Sequence, residues 1–184
     1  NTLVEDDRIA VSRVDALRAK PGMKSAFNLD FGFTDPNAFV CELVDDAEKK
    51  IYVFDEWYRS GATNQEIAKA IIEKGYGGQR IVCDSAEPKS IAELRQLGLK
   101  AEPSLKGRDS VNHGIQFIQN FQIVVHPRCI EFKKEIENYC WAKGRDGQPT
   151  DKPDHEFSHG MDSMRYGIGV LYGGARAEPG KARL

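Results

Sequence analysis

No stretch of the 184 residues approaches the ~20 apolar residues needed to cross a bilayer, and no basic-then-apolar leader opens the chain. There is no GxxxxGK[ST] phosphate loop, so ATP hydrolysis by this chain is not expected. The four cysteines, Cys41, Cys83, Cys129 and Cys140, form no CxxC pair, which argues against a structural zinc site. Cys41 and Cys83 fall in apolar runs (38–44 and 80–84), where a buried, reduced thiol is expected and a reducing compartment is implied. Nor is there an excess of one charge: 26 Lys and Arg face 28 Asp and Glu, a formal net charge of −2. A pure nucleic-acid-binding module would usually be basic, because its cations replace counterions along the phosphate backbone. A site that gathers carboxylates around divalent ions is compatible with this balance, since the ions return positive charge locally. No internal repeat is visible, and the length suits one domain.

What is present is a change of pattern near residue 25. Residues 1–23 are polar, carry Glu5-Asp6-Asp7 and end in Lys20-Pro21-Gly22; they read as a connector, with a helical turn or more within 8–19. From Ser25 the alternation of Ala26-Phe27-Asn28-Leu29-Asp30-Phe31 predicts a strand, stopped at Gly32 and Asp35-Pro36. Residues 37–44 and 50–57, rich in β-branched and aromatic types, predict two more. Tight connections, one containing Asp45-Asp46, make the three an antiparallel meander. A helix is expected over 63–74, with Thr63 and Glu66 as a capping box and Ile67, Ile71 and Ile72 on one side. There follow a buried strand at 79–83, a helix at 87–97 entered through Pro88, and a short strand at 99–102. Next come a helix at 109–119, a strand at 121–125 and a helix at 128–141. Residues 143–153, rich in Gly, Pro and Asp, read as a loop, and 155–172 as the last helix. A meander followed by alternating helices and strands is a mixed sheet flanked by helices, an α/β domain spanning 24–174, with 175–184 as a mobile tail.

Three carboxylates stand out. Asp30 ends a strand among Phe27, Leu29 and Phe31, where an isolated charge is expensive unless it is paired or binds metal. Asp84 follows Ile81-Val82-Cys83 and so emerges at the carboxyl end of a buried strand, where α/β sheets open their ligand crevice. Both also admit a turn or capping role, Asp84 directly or through Ser85. Asp162 lies on a helix whose positions 157, 161, 164 and 168 form an apolar stripe. His159, three residues earlier, projects from the same side. The plain alternative is a surface pair of Asp162 with Arg165. Taken together, two strand-end carboxylates and one from a helix packed across those ends can converge on hard divalent ions. Two such ions ~4 Å apart suit hydrolysis of a phosphodiester.

The chain resembles the nuclease domain of the large terminase subunit of tailed double-stranded DNA bacteriophages, a ribonuclease H-like fold. The resemblance rests on Leu29-Asp30-Phe31-Gly32-Phe33-Thr34-Asp35-Pro36, on Ile81-Val82-Cys83-Asp84-Ser85-Ala86-Glu87-Pro88-Lys89-Ser90 and on His159-Gly160-Met161-Asp162-Ser163-Met164-Arg165-Tyr166. Asp55-Glu56-Trp57-Tyr58 and Lys106-Gly107 are further similarities, and together they cover roughly 25–171. The resemblance implies Asp30, Asp84 and Asp162 as catalytic metal ligands, with His159 beside them as a ligand, a water-orienting group or a phosphate contact. Asp30 is the candidate to bridge two Mg2+ or Mn2+ ions. Ser163 stands where alanine is commoner and is small enough to leave the helix packing alone. Lys89, Lys106 and Arg108 are candidate phosphate contacts or solvated charges, and Arg145 with the 143–153 loop a candidate flap over DNA.

The same resemblance implies double-stranded DNA as substrate and endonucleolytic cutting of concatemeric phage DNA during packaging. It implies an ATPase motor domain on the same polypeptide, a small terminase subunit and a portal protein as partners, and the host cytoplasm, at the procapsid portal, as the setting. The start at Asn1 fits a nuclease half of a longer polypeptide. Two alternatives stay open. One is another ribonuclease H-like nuclease, acting on junctions or RNA–DNA hybrids. The other is a docking module for DNA or the portal with the fold but no chemistry.

Overall fold

The computed structural model describes residues 3–5, 16–105, 110–144 and 146–173. Its frame is a sheet in the order β1-β7-β4-β3-β2-β5-β6. The centre is the expected meander: β2 (Met23–Asp30), β3 (Pro36–Asp45) and β4 (Lys50–Ser60). All are antiparallel, with Asp30 opposite Ala38 and Asp45 opposite Lys50. The β3–β4 turn forms because the Asp45 carboxylate accepts hydrogen bonds from the backbone N–H of Ala47 and Glu48, each at 3.0 Å. This is the local competition of an aspartate with ladder pairing that favours turns.

The remaining strands are parallel additions. β5 (Arg80–Cys83) pairs with β2, β6 (Lys100–Pro103) with β5, and β7 (Gln122–Val125) with β4. Within the segment read as a connector, β1 (Leu3–Glu5) adds a parallel edge strand to β7.

Alternation along the strands divides the core in two. Phe27, Leu29, Phe39, Cys41, Leu43 and Phe54 face α1 (Asn64–Glu73) and α2 (Pro88–Gln96), meeting Ile67, Ile71, Ile91 and Leu94. Val40, Val44, Ile51, Val53 and Ile123 face the other way. They pack against residues of α3 (Ser110–Ile118), α4 (Ile130–Asn138) and α5 (His159–Gly173), among them Ile118, Phe132, Met161, Met164 and Ile168. The product is a three-layer sandwich with one sheet between two helical layers. Cys41 and Cys83 are buried, free thiols.

The capping box forms as expected: Glu66 N–H donates to Thr63 Oγ1 at 3.3 Å and Thr63 N–H to Glu66 Oε2 at 2.9 Å. Ile72, expected beside Ile67 and Ile71, is instead 49% exposed, because an amphipathic stripe at 67 and 71 leaves position 72 at its margin. Three other expectations need correction. The helix expected over 128–141 ends at Asn138, where Tyr139 turns extended (ψ 112°). The expected loop at 143–153 is largely a hairpin, β8 (Trp141–Lys143) against β9 (Pro149–Pro153). The last helix is interrupted: a 3-10 turn (His155–Phe157), opened by Asp154 accepting from Glu156 N–H at 3.1 Å, precedes Ser158 and α5. Among the described residues no helix is long and apolar enough to cross a membrane.

Candidate metal centre

The site lies where β2 and β5 end beneath α5. Leu29 and Cys83 are register partners on adjacent parallel strands, and Asp84 N–H donates to Leu29 C=O at 3.1 Å. Asp30 and Asp84 are therefore next-door strand-end carboxylates, as the sequence pattern implied. Asp84 is not the cap of α2. Its Oδ1 accepts from Ala86 N–H at 3.0 Å, and α2 begins later, after Glu87, without a side-chain cap.

Asp30 is 7% exposed. Its Oδ1 accepts from the Tyr166 hydroxyl at 3.1 Å, and its Oδ2 lies 3.2 Å from His159 Nδ1. Burial pushes the Asp30 carboxyl above the usual range, the neighbouring Asp162 charge adds to the rise, and the hydrogen bonds from His159 and Tyr166 oppose it. A carboxylate raised in this way is stabilised by any neighbouring positive charge. His159 is 4% exposed and its imidazole is also raised, the hydrogen bond to Asp30 favouring the protonated ring against the opposing effect of burial. Tyr166 ties the site together: burial raises its phenol, and the charges of Asp30, Asp162 and Asp84 all raise it further.

Asp162 is held on both sides. Arg165 Nη2 donates to Oδ1 at 2.7 Å and the Ser158 hydroxyl to Oδ2 at 3.3 Å. The Asp162–Arg165 pair expected as the plain alternative exists, but it is no loose surface pair, the side chains being 24% and 11% exposed. Together with Ser158 it holds the Asp162 carboxylate in one orientation on the first turn of α5.

Two features missed in the sequence place α5. Glu135 of α4 accepts from Gly160 N–H at 2.5 Å and from the Tyr58 hydroxyl at 3.3 Å. It caps the first turn of the helix that carries His159 and Asp162, where unpaired N–H groups and the helix dipole favour a negative group. Burial nevertheless pushes its carboxyl up to about 7. Gly160 and Gly167 permit the close approach: a Cβ at 160 would strike the Tyr58 hydroxyl and lie 2.8 Å from Glu135 Oε2, and one at 167 would strike Asn28. Gly160 is thus a packing requirement. Ser163 is fully buried, as its small size allowed, with no hydrogen-bond partner for its hydroxyl among the described residues.

Of the candidate DNA contacts, Lys89 is exposed in the first turn of α2, close in sequence to Asp84; Lys106, Arg108 and Arg145 lie outside the described residues. Among the described residues, the group of potential ligands whose atoms all lie within 4.8 Å of one another is Asp35, His155 and His159. It shares His159 with the aspartate site. A cleft of about 320 Å³ lined by Ile115, Ile136, Tyr139, Trp141 and Met161 contains none of the candidate residues.

Sheet order, flanking helices and the carboxylates that end β2 and follow β5 define a ribonuclease H-like domain. A family model described as "Terminase RNAseH like domain" matches residues 30–169, and the chain belongs to that family. It is 33% identical over 143 residues to the "Terminase, large subunit" of Bacillus phage SPP1, covering 75% of this chain and 34% of that protein. It is 31% identical over 139 residues to the "PBSX phage terminase large subunit" of Bacillus subtilis (strain 168), covering 74% and 32%. The chain thus spans about a third of the length of these relatives. Among solved structures, the g2p (large terminase) nuclease domain of bacteriophage SPP1 with bound Mn superimposes with a TM-score of 0.79 at 29% identity. That match covers 93% of this chain and 97% of that one.

Proposed function

We propose that this domain is a metal-dependent DNA endonuclease of terminase type, cutting concatemeric phage DNA during packaging, with Asp30, Asp84 and Asp162 as metal ligands and His159 beside them. The observation that carries the reading is the placement of Asp30 and Asp84 at adjoining strand ends beneath α5, whose His159 and Tyr166 both bond to Asp30. The donor set fits: carboxylates are hard, one can bridge two cations, and the buried Asp30 carboxyl, raised in pKa, is stabilised by a neighbouring cation. Two Mg2+ or Mn2+ ions held there supply Lewis acidity toward the phosphate and a water of lowered pKa.

The chain's own groups prepare that chemistry. Tyr166 and His159 fix the two oxygens of Asp30, Arg165 and Ser158 fix those of Asp162, and the Ala86 turn fixes Asp84. Lys89 on α2, and Lys106, Arg108 and Arg145, are proposed to contact the DNA backbone. The wider setting belongs to the same proposal: residues 24–174 as the nuclease domain, an ATPase motor on the full-length polypeptide, a small terminase subunit and portal as partners, and the procapsid portal in the host cytoplasm.

The test is plasmid cleavage with Mn2+ or Mg2+, with and without EDTA, beside Asp30→Asn and Asp162→Asn. Chelation and either substitution are expected to abolish cutting while the circular dichroism spectrum is kept. Undiminished cutting by both variants refutes the assignment. Cleavage of an RNA–DNA hybrid with plasmid left intact would move the chain to another ribonuclease H-like activity.

A further inference from the structure

Asp35, His155 and His159 come from two connections, not from the strand ends. Asp35 closes the turn after β2, which folds back so that Gly32 N–H donates to the Asn37 side chain at 3.1 Å. His155 opens the 3-10 turn ahead of α5, and the helix interruption at Ser158 separates it from His159. Their potential ligand atoms all lie within 4.8 Å of one another. His155 Nδ1 is 4.0 Å from Asp35 Oδ2, and the two imidazoles meet edge-on with centroids 5.0 Å apart.

A second observation points to the same use. Donation from His159 Nδ1 to Asp30 Oδ2 leaves Nε2 as the nitrogen that can meet a cation, which binds there in place of the ring's second proton. A carboxylate holding the far nitrogen of a histidine is the usual support of a metal-bound imidazole. Two imidazoles and one carboxylate are also a different donor set from the three aspartates. Nitrogen-rich sites favour borderline ions such as Zn2+ over Mg2+.

We propose that Asp35, His155 and His159 form a cation site of their own, taking a zinc-class divalent ion. That ion clamps the turn after β2 to the entry of α5. Through the imidazole of His159 the site communicates with Asp30, so its occupancy reports on, and constrains, the neighbouring aspartate centre. His155 and Asp35 are exposed (side chains 78% and 56%), so replacing them removes ligands without opening the core.

The experiment is calorimetric titration of Zn2+ into the whole chain in excess Mg2+, which occupies oxygen-ligand positions in preference to imidazoles. One zinc per chain is expected. His155→Ala and Asp35→Asn should each weaken it at least ~10-fold, given that even a ligand's supporting partner is worth 10–100-fold, whereas Asp84→Asn should leave it in place. Co2+ in place of zinc should give a visible absorption band that His155→Ala abolishes. Unchanged zinc affinity in both the His155 and Asp35 variants overturns the site, as does a loss in Asp84→Asn equal to that in His155→Ala. None of these readouts is DNA cleavage, so failure of this site and failure of the nuclease reading are distinguishable.

Discussion

Glu135→Gln is the most informative single change, because it turns a buried cap into its neutral isostere. In the folded chain burial moves the Glu135 carboxyl from 4.5 up to about 7, against the hydrogen bonds of Gly160, Tyr58 and Met161. Between those values the native state keeps a proton that the unfolded chain has released. Stability therefore falls as pH rises through this window and is fully present only below the unfolded value. At about 1.4 kcal/mol for each tenfold change in proton affinity, the loss by pH ~8 is about 3 kcal/mol.

Asp30, Glu42 and Glu56 are also raised by burial and slope in the same direction, so the parent curve alone cannot isolate Glu135. The difference between parent and variant can. Urea unfolding from pH ~4.5 to ~8 should show the two nearly equal at the acid end. Glu135→Gln should be more stable by about 3 kcal/mol at the alkaline end, or roughly 6–12 °C in Tm for a domain of this size. Parallel curves would mean that the carboxyl titrates normally. A variant less stable at pH ~8 would mean that the ionised cap on α5 outweighs its burial, and either result refutes the reasoning.

Three further outcomes are expected. Gly160→Ala places a methyl against the Tyr58 hydroxyl, Glu135 Oε2 and Phe132, and should destabilise by about 1–3 kcal/mol in urea unfolding; wild-type stability would show that α5 can lift without cost. Thr63→Ala removes the capping box of α1 and should cost about 1 kcal/mol, read as a fall in Tm. Tyr166→Phe removes a donor that lowers the Asp30 carboxyl, so a proton competes with metal up to a higher pH. The acid limb of the cleavage profile should therefore shift upward, and an unmoved limb would separate Tyr166 from the function of Asp30.

The meander was legible because its signals are local: alternation in 26–31, Asp35-Pro36 and Asp45-Asp46 as turns, Thr63 and Glu66 as a box. The strand-end position of Asp30 and Asp84 was legible for the same reason, since a carboxylate after an apolar run marks the end of a buried strand. What stayed hidden depends on residues distant in sequence. Leu3–Glu5 is a strand only because β7 offers an edge. The hairpin of Trp141–Lys143 and Pro149–Pro153 pairs short, polar segments that carry no periodicity of their own. The caps of α4 and α5 come from Glu56, which accepts from Glu131 and Phe132 N–H at 2.9 and 2.8 Å, and from Glu135, so no motif beside either helix announces them. Asp35 and His155 become neighbours only through the turn after β2 and the helix break at Ser158. The four-residue spacing of His155 and His159 reads instead as one continuous helix face.

The position of α5 decides whether there is a site at all, and the chain fixes it with more than apolar contact. Met161, Met164 and Ile168 seat the helix on the sheet, but a stripe of three side chains alone would tolerate sliding and rotation. Gly160 and Gly167 allow it to descend until Tyr58 and Asn28 block further approach, and Glu135 grips its first turn. Beneath it lies Glu42, fully buried, its pKa pushed far up by burial, and bound by Asn28 at 2.9 Å. A buried acid and amide contribute less to stability than an apolar pair would, but their hydrogen bond is directional. A rotation of α5 that broke these contacts would carry Asp162 and His159 away from Asp30 together. The polar groups under the helix therefore select one docking among several of similar apolar burial, the one in which His159 and Tyr166 both reach Asp30.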